Sequence, residues 1–89
     1  MVYTIEIARP AQRQLKKLDP SIRKKVSRRI DQSANDPGPS GVVKLTDVPP
    51  PIHRVREGQY RVLYTINDDK LVVLVVRIAH RSDADRKNL

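Results

Sequence analysis

The run Leu71-Val-Val-Leu-Val-Val-Arg-Ile78 is apolar at every position but Arg77. The polar–apolar alternation that marks a strand with one wet face is missing from it. A strand apolar on both faces has to be covered on both, so this one is expected at the centre of a sheet. The rest of the chain must then supply its neighbours. Val2 to Ile7 alternates, with Tyr3, Ile5 and Ile7 on one face and Thr4 and Glu6 on the other, which predicts a half-buried strand. Ile52 to Arg56 and Gln59 to Ile66 predict a hairpin turning at Glu57-Gly58. On its second arm Tyr60, Val62, Tyr64 and Ile66 share one face, and Arg61, Leu63 and Thr65 the other. Asn67-Asp68-Asp69 is expected as the turn into the apolar strand.

Between the first strand and the hairpin the apolar period becomes that of a helix. Ala8, Ala11, Leu15 and Leu18 fall on one side of a helix expected from Arg9 to Leu18, with Arg9, Gln12, Arg13, Lys16 and Lys17 on the wet side. Asp19-Pro20 then suits an N-cap and a first helical position. The second helix is expected to reach about Ala34 and to bury Ile22, Val26 and Ile30, forming a helical hairpin with the first. Asn35 to Gly41, rich in Pro, Gly, Asp and Ser, closes the helical half as a loop. Val42 to Val48 reads as a further strand with Val43 and Leu45 inward. Pro49-Pro50-Pro51 excludes a central strand there and is expected as a stiff bridge at the sheet edge, recognition as a proline motif being the sharper alternative. The expected fold is one α+β domain over residues 1–89: an N-terminal strand, a helical hairpin, then a three- to four-stranded, mainly antiparallel sheet.

Eighteen Lys and Arg against ten Asp and Glu leave a net charge of +8. On so small a body this field attracts polyanions, nucleic acid above all, or an acidic protein. No cysteine is present, which excludes disulfides and Cys-based zinc sites, and two isolated histidines suggest no metal. The longest apolar run is too short to span a bilayer, and the first residues lack the basic start and apolar stretch of a signal peptide; a cytoplasmic protein is expected. Three tyrosines, with no Phe or Trp, argue against single-strand binders that stack bases on aromatic platforms. Contact with nucleic acid should be led by phosphate.

Arg54, Arg56 and Arg61 lie within eight residues of one another. Two apart on a strand, Arg54 and Arg56 share a face, and the hairpin returns Arg61 beside them. Guanidiniums gathered on a sheet present planar forks of donors with permanent charge, which suits phosphate; the bland reading is a solvated strand face. Arg23, Lys24, Lys25, Arg28 and Arg29 charge the outer face of the second helix, either as a docking face for nucleic-acid phosphate or simply as its wet side.

The chain resembles the RelE/ParE superfamily of bacterial toxins from toxin–antitoxin pairs. The resemblance runs from Leu15-Lys-Lys-Leu18, through Arg54-Val-Arg56-Glu-Gly58-Gln-Tyr60-Arg61-Val-Leu-Tyr64, to Val75-Val-Arg77-Ile-Ala-His80-Arg81. In the RelE branch it implies a toxin that enters the ribosomal A site and cleaves messenger RNA through attack of the RNA 2′-hydroxyl, without metal or cofactor. Arg61 and Arg81 match the positions the family uses to stabilise the phosphorane, and Arg54 and Arg56 match basic positions suited to holding the substrate backbone. It further implies a cognate antitoxin whose helical segment lays its apolar side in a groove beside the sheet and brings acidic residues to the basic surface.

Two departures bear on the chemistry. RelE-like sequences commonly carry tyrosine four residues after the His-Arg arginine, where this chain has Asp85, a residue that cannot stack on a base. Some carry lysine two residues before the position of Arg54, where Ile52 cannot titrate. His80 is then the proton-transfer group nearest Arg81, unless it only ends a strand with a structural hydrogen bond. His53 is expected to point away from Arg54 and Arg56. The alternatives to a nuclease are a ParE-like toxin that poisons DNA gyrase and a non-catalytic basic binding module.

Overall fold

The computed structural model describes residues 2–36, 43–44 and 51–82. Its elements run β1 (Thr4–Ile7), α1 (Arg9–Lys16), α2 (Pro20–Gln32), β2 (Val43–Lys44), β3 (Ile52–Glu57), β4 (Tyr60–Asn67) and β5 (Val72–His80). The strands form one five-stranded sheet in the order β1-β5-β4-β3-β2, with β1 parallel to β5 and every other pair antiparallel. The α+β architecture is the expected one. Of the strand expected at Val42 to Val48, only Val43–Lys44 lies within the described residues, pairing with Arg54 and His53 at the edge. Pro49, Pro50 and Asp85 lie outside them.

Both helices pack on one face. Ala11 of α1 and Val26 and Ile30 of α2 meet Val55, Val62, Tyr64, Val73, Val75 and Ile78 in the buried core, flanked by Ile5, Ile7, Leu15, Ile22 and Tyr60. The period-two reading of β1 and β4 therefore holds. Pro20 does begin α2 behind Asp19, but the Asp19 side chain makes no capping bond; only its carbonyl accepts the Arg23 amide, at 2.8 Å. Each helix ends earlier than its apolar pattern, because the chain tightens into three-residue bonds. The Leu18 amide donates to Leu15, and the Ser33 amide to Ile30.

The apolar strand needs a correction. β5 is interior, but β4 occupies the middle of the sheet. Nor are both faces of β5 equally covered. Val73 and Val75 are buried under the helices, whereas Val72 and Leu74 are half-buried and line a shallow cavity of about 320 Å³ with Glu6, Thr65, Asn67 and Lys70.

One irregularity in β5 decides where its later side chains go. Leu63 pairs with Arg77 while Tyr64 pairs with Val75, so Val76 is an extra residue on β5, a β-bulge. The bulge lies where β1 ends. There the Ile78 amide donates to Oε1 of Gln14, at 2.7 Å, in place of a strand partner. A one-residue insertion exchanges the faces of everything that follows. It keeps Ile78 in the core and turns Arg77 outward.

Candidate functional site

The sheet face opposite the helices carries the arginines. Arg56 on β3 and Arg61 on β4 are direct cross-strand partners, and Arg61 in turn pairs with Ala79 on β5. In the next row Arg54 pairs with Leu63, and Leu63 with Arg77. Directly opposed residues project to the same side with Cβ atoms ~5 Å apart. The face thus presents two rows, Arg56–Arg61–Ala79 and Arg54–Leu63–Arg77. The turn that allows this is Gly58-Gln59, one residue later than expected. Gly58 holds the left-handed φ of +60°, the conformation a two-residue hairpin needs at its first central position.

Arg61 is only 6% exposed, with Leu63 at 2% beside it, while Arg56 is exposed and Arg54 and Arg77 are half-buried. Like charges placed directly across a strand pair repel, and an anion bound between Arg56 and Arg61 would relieve that repulsion. Low solvent access also strengthens the field an anion would meet. Such a face is suited to bind phosphate and to stabilise charge that develops on it.

The sequence-predicted residues are not all brought together. The Arg81 amide donates to the Gln59 carbonyl, at 2.7 Å, carrying the β4–β5 ladder one step past His80. Arg81 opens a helical turn immediately after β5, and the residue is exposed. His80 pairs with Tyr60 and therefore lies on the helix side. Its ring meets Tyr60 edge-on, with centroids 5.4 Å apart and planes at 88°, and its Nδ1 is 3.0 Å from Ser82 Oγ. His80 is accordingly separated by the sheet from Arg54, Arg56 and Arg61. His53 points away from the arginines as expected, stacked on Tyr64 with centroids 5.7 Å apart and planes at 25°.

The five cations of α2 divide. Lys24, Lys25 and Arg28 are exposed, whereas Arg23 and Arg29 are half-buried. Arg29 is turned along its own helix, donating from Nη1 to Gln32 Oε1 at 3.1 Å. Its charge acts on the Tyr64 phenol, whose pKa is pushed up to about 12 by burial, lowered by Arg29 and raised by Asp36. A second exposed basic surface, which the sequence reading left as a wet face, lies on α1, where Arg9, Gln12, Arg13 and Lys16 form a shallow concavity. Arg77 was also missed: strict alternation from Val73 would place it in the core, and only the bulge brings it to the arginine face.

Comparison with known proteins gives this geometry a context. The family described as the ParE toxin of type II toxin–antitoxin system, parDE, matches residues 5–85. The fold is similar to that in the archaeal RelE–RelB complex from Pyrococcus horikoshii, at TM-score 0.81 and 25% identity, over 91% of this chain and 97% of that one. It is similar to that in the toxin–antitoxin complex RelBE2 from Mycobacterium tuberculosis, at TM-score 0.79 and 29% identity, over 91% and 100%. The isolated E. coli RelE toxin shares the fold at TM-score 0.75 and 21% identity, over 98% and 99%. Among proteins of curated function, none matches. With the family matched over nearly its whole length, the chain belongs to the ParE toxins of type II toxin–antitoxin systems, within the RelE/ParE superfamily.

Proposed function

We propose that this toxin is a ribosome-dependent messenger-RNA endoribonuclease whose arginine face binds the scissile phosphate. The observation that carries the reading is the Arg56–Arg61 cross-strand pair, with Arg61 nearly buried on a face that holds two further arginines. Cleavage by the RNA's own 2′-hydroxyl passes through a pentacoordinate phosphorane, and fixed guanidiniums stabilise the charge that grows on its oxygens. Arg61 and Arg81 take that role; Arg54 and Arg56 hold the neighbouring backbone. Programmed ribosomes supply the test. Wild-type protein cleaves the bound messenger, and absence of cleavage overturns the reading.

Proton transfer is where this member departs from the RelE pattern. On the helix side, and packed on Tyr60, His80 serves the structure, so His80→Phe should leave single-turnover cleavage within a few-fold of wild type. Loss of cleavage in a folded His80→Phe protein would return the imidazole to the chemistry. Asp85, proposed to lie beside the substrate, offers no aromatic surface for a base, so electrostatic stabilisation dominates and the enzyme is slow. Asp85→Tyr should raise the rate on the same ribosomes; an unchanged rate removes residue 85 from the site.

Docking on ribosomal RNA falls to the exposed part of α2. Neutralising Lys24, Lys25 and Arg28 together should lower the salt slope of ribosome binding by about 2 to 3. Adding changes at Arg23 and Arg29 should add little. A slope unchanged by the triple variant would make α2 merely a solvated face.

The partner of the toxin is a cognate antitoxin, by likeness to the archaeal and mycobacterial toxins that form complexes with theirs. It is proposed to lay a helix with acidic flanks against the basic surface, and the pair works in the cytoplasm, where ribosomes are. A second reading has its own support. The matching family carries the ParE description, and Asp85 replaces the RelE tyrosine, both of which favour a gyrase poison. Inhibition of supercoiling by purified gyrase, without cleavage on ribosomes, would establish that reading instead.

A further inference from the structure

We propose that Arg77 is a second phosphate-binding residue of the same face, holding the RNA backbone one phosphate away from the Arg56–Arg61 row. The inference rests on the nuclease reading above and extends its substrate contact to a residue on β5. Arg77 stands across Leu63 from Arg54. Two strand spacings separate these arginines by ~10 Å, and the two rows lie ~7 Å apart along the strands. That grid has the dimensions of adjacent phosphates on an extended strand, not of one carboxylate.

Charge and local structure support the assignment. Arg77 is half-buried, and among the described residues it forms no hydrogen bond or ion pair. Glu6, on β1, is the carboxylate of this face closest in register, but it pairs with Leu74, on the far side of the bulge from Arg77. Glu57 belongs to the helix face with its partner Tyr60. Among the described residues, Arg77 therefore has no acidic residue as its neighbour in the sheet register. The orientation of Arg77 is also built in: the extra residue Val76 turns it outward, and Gln14 of α1 accepts the Ile78 amide that the bulge leaves beyond the end of β1.

Arg77→Met keeps the length of the side chain and removes its charge. The probe is a fluorescein-labelled single-stranded oligoribonucleotide, 2′-O-methylated at every position so that it is not cleaved, with binding followed by anisotropy across a salt series. Wild type should bind with affinity that falls steeply with salt. Arg77→Met should bind several-fold more weakly at low salt, with a slope smaller by about 0.7, the loss of one single-strand phosphate contact. On programmed ribosomes it should raise KM while kcat stays within a few-fold, unlike a residue that acts on the transition state. A variant with the wild-type thermal midpoint and the wild-type slope would overturn the assignment while leaving the nuclease reading in place. A variant that loses only affinity for an acidic peptide would overturn it too, and would assign Arg77 to a protein contact. Wild-type protein without salt-dependent RNA binding would sink both readings together.

Discussion

Replacing Arg61 or Arg81 with Ala should slow single-turnover cleavage of ribosome-bound messenger by on the order of 10²-fold or more. The expectation follows from where the two charges stand. Arg61 is nearly buried at the centre of the basic face, and Arg81 stands just past the end of β5, its amide bonded to the Gln59 carbonyl. Charges held by a sheet need no reorganisation as the phosphorane forms, so their loss falls on the transition state. The two variants should nonetheless differ in folding. Arg81 is exposed, and its loss should move stability by less than about 0.5 kcal/mol. Arg61 is nearly buried beside Leu63, so its loss should cost more stability than that of Arg81, and the folded fraction is measured alongside the rate. Rates equal to wild type for both variants would remove these residues from the site.

Tyr64→Ala should have the largest effect on stability. Tyr64 is 2% exposed, belongs to the core shared by helices and sheet, and stacks on His53. Truncating a buried aromatic side chain costs about 3 to 5 kcal/mol, a large share of what holds a small domain together. Denaturant titration reads this directly, and a loss below about 1 kcal/mol would show that the core closes over the gap. The phenol also makes a pH prediction. Its pKa is 10.0 in an ordinary environment and about 12 in the folded protein. Between those values the folded state binds the extra proton, so stability falls as pH rises. The contribution is complete below pH 10 and lost by about pH 12. Tyr64→Phe should lack this alkaline loss, and identical profiles for the two proteins would contradict the burial of the hydroxyl.

Much of this arrangement is legible in the sequence because it follows from local period. Arg54, Arg56 and Arg61 could be placed on one face, and Tyr60, Val62 and Tyr64 on the other, since β3 and β4 alternate without interruption up to Leu63. The helical hairpin could be read from Asp19-Pro20 and the spacing of Val26 and Ile30. The misplaced residues share one cause. The bulge at Val76 is set by tertiary contacts, the end of β1 and the Gln14 side chain from α1, and no pattern within Leu71 to Ile78 announces it. Without that bulge Arg77 would enter the core and His80 would join the arginines. With it they exchange sides, so Arg77 lies with the arginines, while His80, expected in the chemistry for its place beside Arg81 in the sequence, lies on the helix side. The α2 cations differ in exposure for a simpler reason. Charge alone does not tell Arg29, bonded along its own helix to Gln32, from Lys24, which stands in solvent.

The most direct test of the central claim is the chemistry of the ends left on messenger RNA after incubation with programmed ribosomes and purified toxin. Attack by the 2′-hydroxyl expels the 5′-oxygen, so the new ends should carry a 2′,3′-cyclic phosphate upstream and a free 5′-hydroxyl downstream. Those ends should disappear when Arg61 and Arg81 are both replaced. Intact messenger, under conditions in which the same protein blocks supercoiling by gyrase, would contradict the account.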